Sequence, residues 1–167
     1  MVLRNRRSFM IWLILTVLWM GFIFYKSAEP YQEQDIRPML AEWIPQSVVD
    51  QWMPHIEFTY DGGLVTWKEP YDFIEFIIRK GGHIAEYALL TLLWIKTLRA
   101  TKRFRSFAIP LGAVLSVLYA ASDEWHQSFV EGRTGHAIDV GMDSVGVLLV
   151  ACGYGVVLLL RRWRRAR

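Results

Sequence analysis

A single cysteine, Cys152, excludes an intrachain disulfide and a Cys-based zinc knuckle. It falls inside an apolar run, where a small apolar role suits it. No internal repeat or low-complexity tract interrupts the 167 residues, a length that suits one domain. No metal-ligand spacing such as His-Glu-x-x-His and no nucleophile elbow occurs, so no single motif declares a reaction. The most informative lack is of acids. Segments 1–7, 96–105 and 161–167 hold most of the 19 Lys and Arg and none of the 16 Asp and Glu. These basic clusters sit beside apolar runs, which points to juxtamembrane anchoring and against nucleic-acid binding despite the net charge of +3.

What is present is hydrophobicity in blocks. The chain is 53% hydrophobic with eight Trp, and the apolar residues gather in four runs at about 8–25, 80–97, 106–122 and 139–160. Short Lys/Arg-rich segments stay in the cytoplasm. The acids lie in 26–80, in 122–143, or at Glu86 within the second run. The sequence therefore predicts an all-α integral membrane fold with four transmembrane helices, forming one domain over 1–167. It would be multi-pass in the cell membrane, with both termini cytoplasmic and the acidic segments outside. The first run follows Arg4, Arg6 and Arg7, as in a signal peptide. Its length suffices to span, Trp12, Trp19 and Phe22 are bulky, and only Ser27-Ala28 resembles a cleavage site, so an uncleaved span is expected.

The outer insert, 26–79, is too long for a plain connector. Ile36, Met39, Leu40, Trp43 and Ile44 follow helical spacing until Pro45 ends it. Val48, Val49, Trp52 and Met53 suggest a second short helix with Ser47 as N-cap. These amphipathic pieces either lie on the outer leaflet or cover the bundle top. Ile56, Phe58 and Tyr60 alternate with polar residues before Asp61-Gly62-Gly63, which signals a β-hairpin that must pack on the helices. Pro70 opens a helix running into the second span. The predicted architecture is thus a helical bundle with an extracytoplasmic cap of short helices and a hairpin between helices 1 and 2.

Ionisable residues within or beside the spans mark the candidate site. His83 and Glu86 share a helix face with Lys80 and Tyr87 beside them, and are expected to pair. They serve function, or simply tie helices together. Asp123, Glu124 and His126 form a dense acid/base cluster at the end of the third run, or a solvated helix end. Gly112, Ser116 and Ala120 repeat every four residues below Glu124, so that face should pack inward. Arg133, in a turn between glycines, suits a phosphate or carboxylate ligand, or clamps Asp139 or Asp123. His136 reads as a loop residue. Asp139, Asp143, Gly146, Val150 and Gly153 share a stripe of the fourth run. Ser122 and Ser128 lie nearby without the setting a nucleophile needs. His83, Glu86, Asp123, Glu124, His126, Arg133 and Asp139 are expected to line one outward cleft. Such a group describes a divalent metal site, for Zn²⁺ or a harder ion, or an acid/base pair.

At these residues the chain resembles the VanZ-like family of membrane proteins, named after a teicoplanin-resistance protein. The family pattern Lys-x-x-His-x-x-Glu-Tyr falls here on Lys80, His83, Glu86 and Tyr87. Ser-Asp-Glu-x-His-Gln-x-Phe falls on Ser122, Asp123, Glu124, His126, Gln127 and Phe129. A Gly-Arg turn follows at Gly132-Arg133, then Asp139 and Gly146 of an Asp-x-x-x-Asn-x-x-Gly stretch. Position 143 departs from it: Asp143 stands where the family usually has Asn. The resemblance implies a helical membrane protein linked to the glycopeptide response, and no particular reaction. Taken together, the catalytic candidates are His83, Glu86, Asp123, Glu124 and His126. Lys80, Gln127, Arg133 and Asp139 are the ligand-binding candidates. The expected partners are membrane lipids and an anionic envelope lipid, lipid-linked cell-wall precursor or glycopeptide.

Overall fold

The computed structural model describes residues 2–166 and is mostly helical. In chain order its elements are α1 (Val2–Ser27), a 3-10 turn at Tyr31–Gln34, α2 (Arg37–Trp43), α3 (Gln46–Trp52), β1 (Glu57–Tyr60), β2 (Gly63–Thr66), α4 (Pro70–Arg99), α5 (Ala108–Gln127) and α6 (Ala137–Ala166). α1, α4 and α6 each contain one predicted apolar run and extend it at polar ends, and α5 begins two residues into the third run. Among the described residues, two stretches are long and apolar enough to cross a membrane, Arg6–Ser27 and Ala137–Ala166. The apolar stretch of α4 is broken by Lys80, His83, Glu86 and Lys96, and that of α5 is short and ends at Asp123 and Glu124.

Helix α4 is the hub. It packs on α1, α5 and α6 and also receives α2 and β2. The core joins Ile23 of α1, Tyr87 and Leu90 of α4, Ala120 of α5 and Val147 of α6. Small residues bring the helices together, as expected where backbones approach closely. A Cβ added at Gly112 would lie 3.0 Å from Ile95 Cγ1, and Ser116 and Ala120 above it are fully buried. At Gly146 an added Cβ would collide with the carbonyl oxygen of Ile84, so α6 touches the backbone of α4 itself. The predicted stripe on α6 stops there. Gly153 has nothing within 4 Å of its missing Cβ and makes no helix contact. Polar bonds secure α1: Thr16 Oγ1 meets Thr97 Oγ1 at 3.0 Å, and Trp19 Nε1 donates to the Glu86 carbonyl at 3.0 Å. Tyr119 Oη donates to the Met20 carbonyl at 2.6 Å.

The cap forms for local reasons. Pro38 sits in the first turn of α2 and Pro45 ends the chain segment that follows it. Helix α3 begins at Gln46 directly after Pro45, so Ser47 lies inside the first turn and caps nothing, contrary to its expected role. The fixed φ of proline sets the start of the helix without a side-chain cap. Leu40 and Val49 turn inward and are buried, whereas Trp43 and Trp52 point outward at 70% and 77% exposure. Arg37 fastens α2 to α4 through Asp72 at 2.6 Å and Glu75 at 3.2 Å. The hairpin turns at Asp61 and Gly62, with φ of 50° and 78°, the left-handed pair that a two-residue hairpin turn of the I′ kind requires. Tyr60 pairs with Gly63 across it. Phe58 and Tyr60 set their rings edge-on against Phe76, which supplies the packing a lone hairpin lacks.

The two glycines of α6 should respond oppositely to the same change. Gly146→Ala should destabilise the purified protein by about 1–3 kcal/mol, since backbone cannot yield as a flexible side chain does. Gly153→Ala should be neutral or stabilising by up to about 1 kcal/mol through helix propensity. Thermal unfolding in detergent measures both, and equal responses would contradict the packing described.

Candidate functional site

Close backbone approach builds the site. Gly146 seats α6 on the Ile84 carbonyl, and the neighbouring turns then place Asp143 opposite His83. His83 Nδ1 lies 3.4 Å from Asp143 Oδ1, an ion-pair distance without hydrogen-bond geometry. On the other side, a Cβ at Gly135 would collide with the Glu124 carbonyl, so its absence lets the 128–136 loop fold back onto the end of α5. The His136 backbone N–H then donates to Glu124 Oε2 at 3.1 Å. Ligand-capable atoms of His83, Glu124 and Asp143 consequently lie within 4.8 Å of one another. Glu124 and Asp143 are buried, at 4% and 0% exposure. Both Asp143 carboxylate oxygens, Glu124 Oε1 and His83 Nδ1 have no hydrogen-bond partner among the described residues. Burial pushes the Glu124 carboxyl, which lies beyond the third apolar run, up to about 7 against the opposing pull of the His136 N–H.

A second layer covers this cluster on the hairpin side. Lys80 forms an ion pair with Asp139, and Tyr60 Oη donates to Asp139 Oδ1 at 2.5 Å. Lys80 Nζ also stands 4.7 Å from the centre of the Tyr60 ring, a cation–π contact. At the hairpin tip, Asp61 Oδ2 and His136 Nδ1 are 2.5 Å apart. The hairpin is thus tied both to α6 and to the loop preceding it.

The cluster opens into a cavity of about 500 Å³ whose walls include Lys80, His83, Gln127, Arg133, His136 and Asp139. Arg79, Glu75 and Tyr31 line it as well. A smaller recess of about 300 Å³ contains Glu86 and Asp123, next to Lys26 of α1. The two share Arg79, His83, Gln127 and Arg133 as a common wall. Gln127 Nε2 donates to Asp123 Oδ2 at 3.0 Å and so fixes that carboxylate.

Several expectations need correction. The ion-pair partner of His83 is Asp143 on α6, not Glu86 on its own helix. Arg133 clamps neither Asp139 nor Asp123. Its guanidinium donates to the Lys26 and Ser27 carbonyls, at 3.4 and 3.1 Å, and so closes the C-terminus of α1. That position is half-buried, and burial lowers the Arg133 pKa. His126 is not in the cleft. It packs on Phe24 with ring centroids 4.3 Å apart and its Nδ1 lies 3.5 Å from Ser27 Oγ. Asp123, Glu124 and Gln127 occupy the inward face of α5, and a residue two positions from Glu124 faces elsewhere. Ser122 and Ser128 bond to carbonyls of their own helix, those of Tyr119 and Trp125.

Four participants carry no spacing signal of their own. His136 reads as a loop residue, Asp61 as a turn former and Tyr60 as part of an alternating strand. Glu75 is 3% exposed and accepts a hydrogen bond from Tyr31 Oη at 3.2 Å. A carboxylate on the apolar face of an otherwise amphipathic helix start was the available signal for it. Tyr60→Phe keeps the ring and removes one bond to a charged acceptor, about 1.5–3 kcal/mol of local stability. Limited proteolysis within 55–69 should accelerate several-fold, and an unchanged rate would contradict the hairpin anchor.

The family model described as VanZ/LLP1 matches residues 12–161, nearly the whole chain. No curated protein and no solved structure matches it.

Proposed function

The chain belongs to the VanZ/LLP1 family, and from that premise we propose that it is a four-span membrane protein whose outward cavity binds the anionic headgroup of an envelope lipid or lipid-linked cell-wall precursor. Occupying or altering such a target connects the protein to glycopeptide response, teicoplanin included. The observation that carries this reading is an amphiphilic site. The polar cavity contains Arg79, Lys80 and Arg133 on its walls, and Phe73 separates it from an apolar groove formed by Val48, Trp52, Ile74 and Ile77. A phosphate and an apolar chain on one molecule suit the two halves.

The four-span topology rests on charge and on the outer surface of the bundle. Ile11, Leu18, Leu118, Leu149 and Leu159 are more than half exposed, on α1, α5 and α6. That is far more apolar surface than a water-soluble monomer presents. The ionisable groups of α4 and α5 turn to the interior, as they must in lipid. Trp43 and Trp52 suit the outer interface. Chemistry on a bound headgroup would fall to His83, Glu124 and Asp143, with Glu86 and Asp123 in the adjoining recess. A reading in which the protein only shields its target from antibiotic shares the same binding step.

Two measurements test this. With Cys152 replaced by serine, cysteines placed at Tyr60 and Thr134 should react with an impermeant maleimide on intact cells, and one at Thr101 should not. Labelling at Thr101 would overturn the topology. Purified protein titrated with a polyisoprenyl phosphate should bind it in preference to a zwitterionic lecithin. Arg79→Gln should weaken that binding about tenfold, as loss of one charge-assisted contact does. Equal affinity for both lipids would contradict the headgroup site.

A further inference from the structure

We propose that His83, Glu124 and Asp143 bind a divalent transition-metal cation of the Zn²⁺ type. Three independent observations meet there. The first is proximity from three separate helices: one ligand-capable atom of each residue lies within 4.8 Å of the other two. Around a Zn²⁺ ion with bonds of about 2.0–2.2 Å, ligand atoms are separated by about 3.3–3.6 Å. The 3.4 Å between His83 Nδ1 and Asp143 Oδ1 already has that spacing.

The second observation is unmet valence. Asp143 has 1% side-chain exposure and neither of its oxygens has a hydrogen-bond partner among the described residues. Glu124 Oε1 and His83 Nδ1 are in the same state. Leaving buried carboxylate oxygens unpartnered is costly, and a cation is the single ligand that satisfies all of them at once. No lysine or arginine of the cavity does so instead. Lys80 is held by Asp139, Arg79 faces Glu75 and the Tyr31 ring, and Arg133 donates through one guanidinium nitrogen to α1 carbonyls.

The third observation is support around the cluster. The His136 N–H holds Glu124 by Oε2 and leaves Oε1 turned free, the arrangement by which outer contacts orient a metal-binding carboxylate. An imidazole nitrogen with two carboxylates selects Zn²⁺ or Mn²⁺ over Ca²⁺ and Mg²⁺, which prefer oxygen alone. Three protein ligands leave a coordination position for a further oxygen, and His83 lies on the cavity wall. That this position takes a headgroup phosphate oxygen rests on the proposed function; the metal site does not.

The test uses the full chain, purified in detergent, stripped with chelator and given Zn²⁺ alone. Calorimetry and elemental analysis should find one ion per chain, and Zn²⁺ should raise the melting temperature. Asp143→Asn and Glu124→Gln keep the shapes and remove the anions. Each should weaken binding by more than about 100-fold, beyond what changes in supporting residues produce. His126→Ala, on the α1 side, should bind as the parent does. Failure of the unmodified protein to hold stoichiometric Zn²⁺, or to be stabilised by it, overturns the proposal whether or not the variants fold. So does unchanged affinity in both carboxylate variants. Zn²⁺ binding without affinity for polyisoprenyl phosphate would instead sink the headgroup reading and leave the metal site standing.

Discussion

Where α6 crosses α4, the absent side chain of Gly146 lets the two backbones touch at the Ile84 carbonyl. The polar contacts between α4 and α6 depend on that approach. It fixes the rotation of both helices, and with it the meeting of His83 and Asp143 across the interface. It also brings Lys80, one turn away, to Asp139, one turn before Asp143. Gly135 performs the same service from the loop side, admitting the His136 N–H to the Glu124 carboxylate. Two missing side chains therefore assemble charged groups that no single helix could gather, in a place where their cost demands partners.

The cap completes the enclosure. Arg37 anchors α2 to α4, and the hairpin rests on Phe76 and reaches Asp139 through Tyr60. Arg133 binds the end of α1, so the loop before α6 is held from both sides. The outcome is a buried pair of acids, Glu124 and Asp143, beside a cavity whose wall bears the cations, with an apolar groove next door. The proposed headgroup would meet Arg79 and Arg133 on the cavity wall, and the proposed metal ion would offset the charge of Glu124 and Asp143.

Local signals were legible in the sequence and rotations were not. Asp61-Gly62 announced its turn because both residues must adopt positive φ, and Pro70 announced the start of α4 because proline fits a first helical turn. The row Gly112, Ser116, Ala120, Glu124 correctly gave the buried face of α5, since four-residue spacing is a property of one helix. The partner of His83 was not legible in this way. Spacing favoured Glu86, three residues on, but the angle at which α6 crosses α4 offers Asp143 instead. His126 failed for a simpler reason: two residues from Glu124 is nearly the opposite side of the helix. His136 and Asp61 lie in segments whose side chains acquire meaning only when the loop and the hairpin tip meet.

The proposed three-ligand cation site arises from helix packing alone, where α4, α5 and α6 meet. X-ray absorption at the zinc edge of the loaded, purified protein tests it. The expected spectrum has a first shell of nitrogen and oxygen at about 2.0–2.2 Å, with the multiple-scattering signature of one imidazole that disappears in His83→Gln. A spectrum showing only water oxygens, or an imidazole signature untouched by His83→Gln, would contradict it.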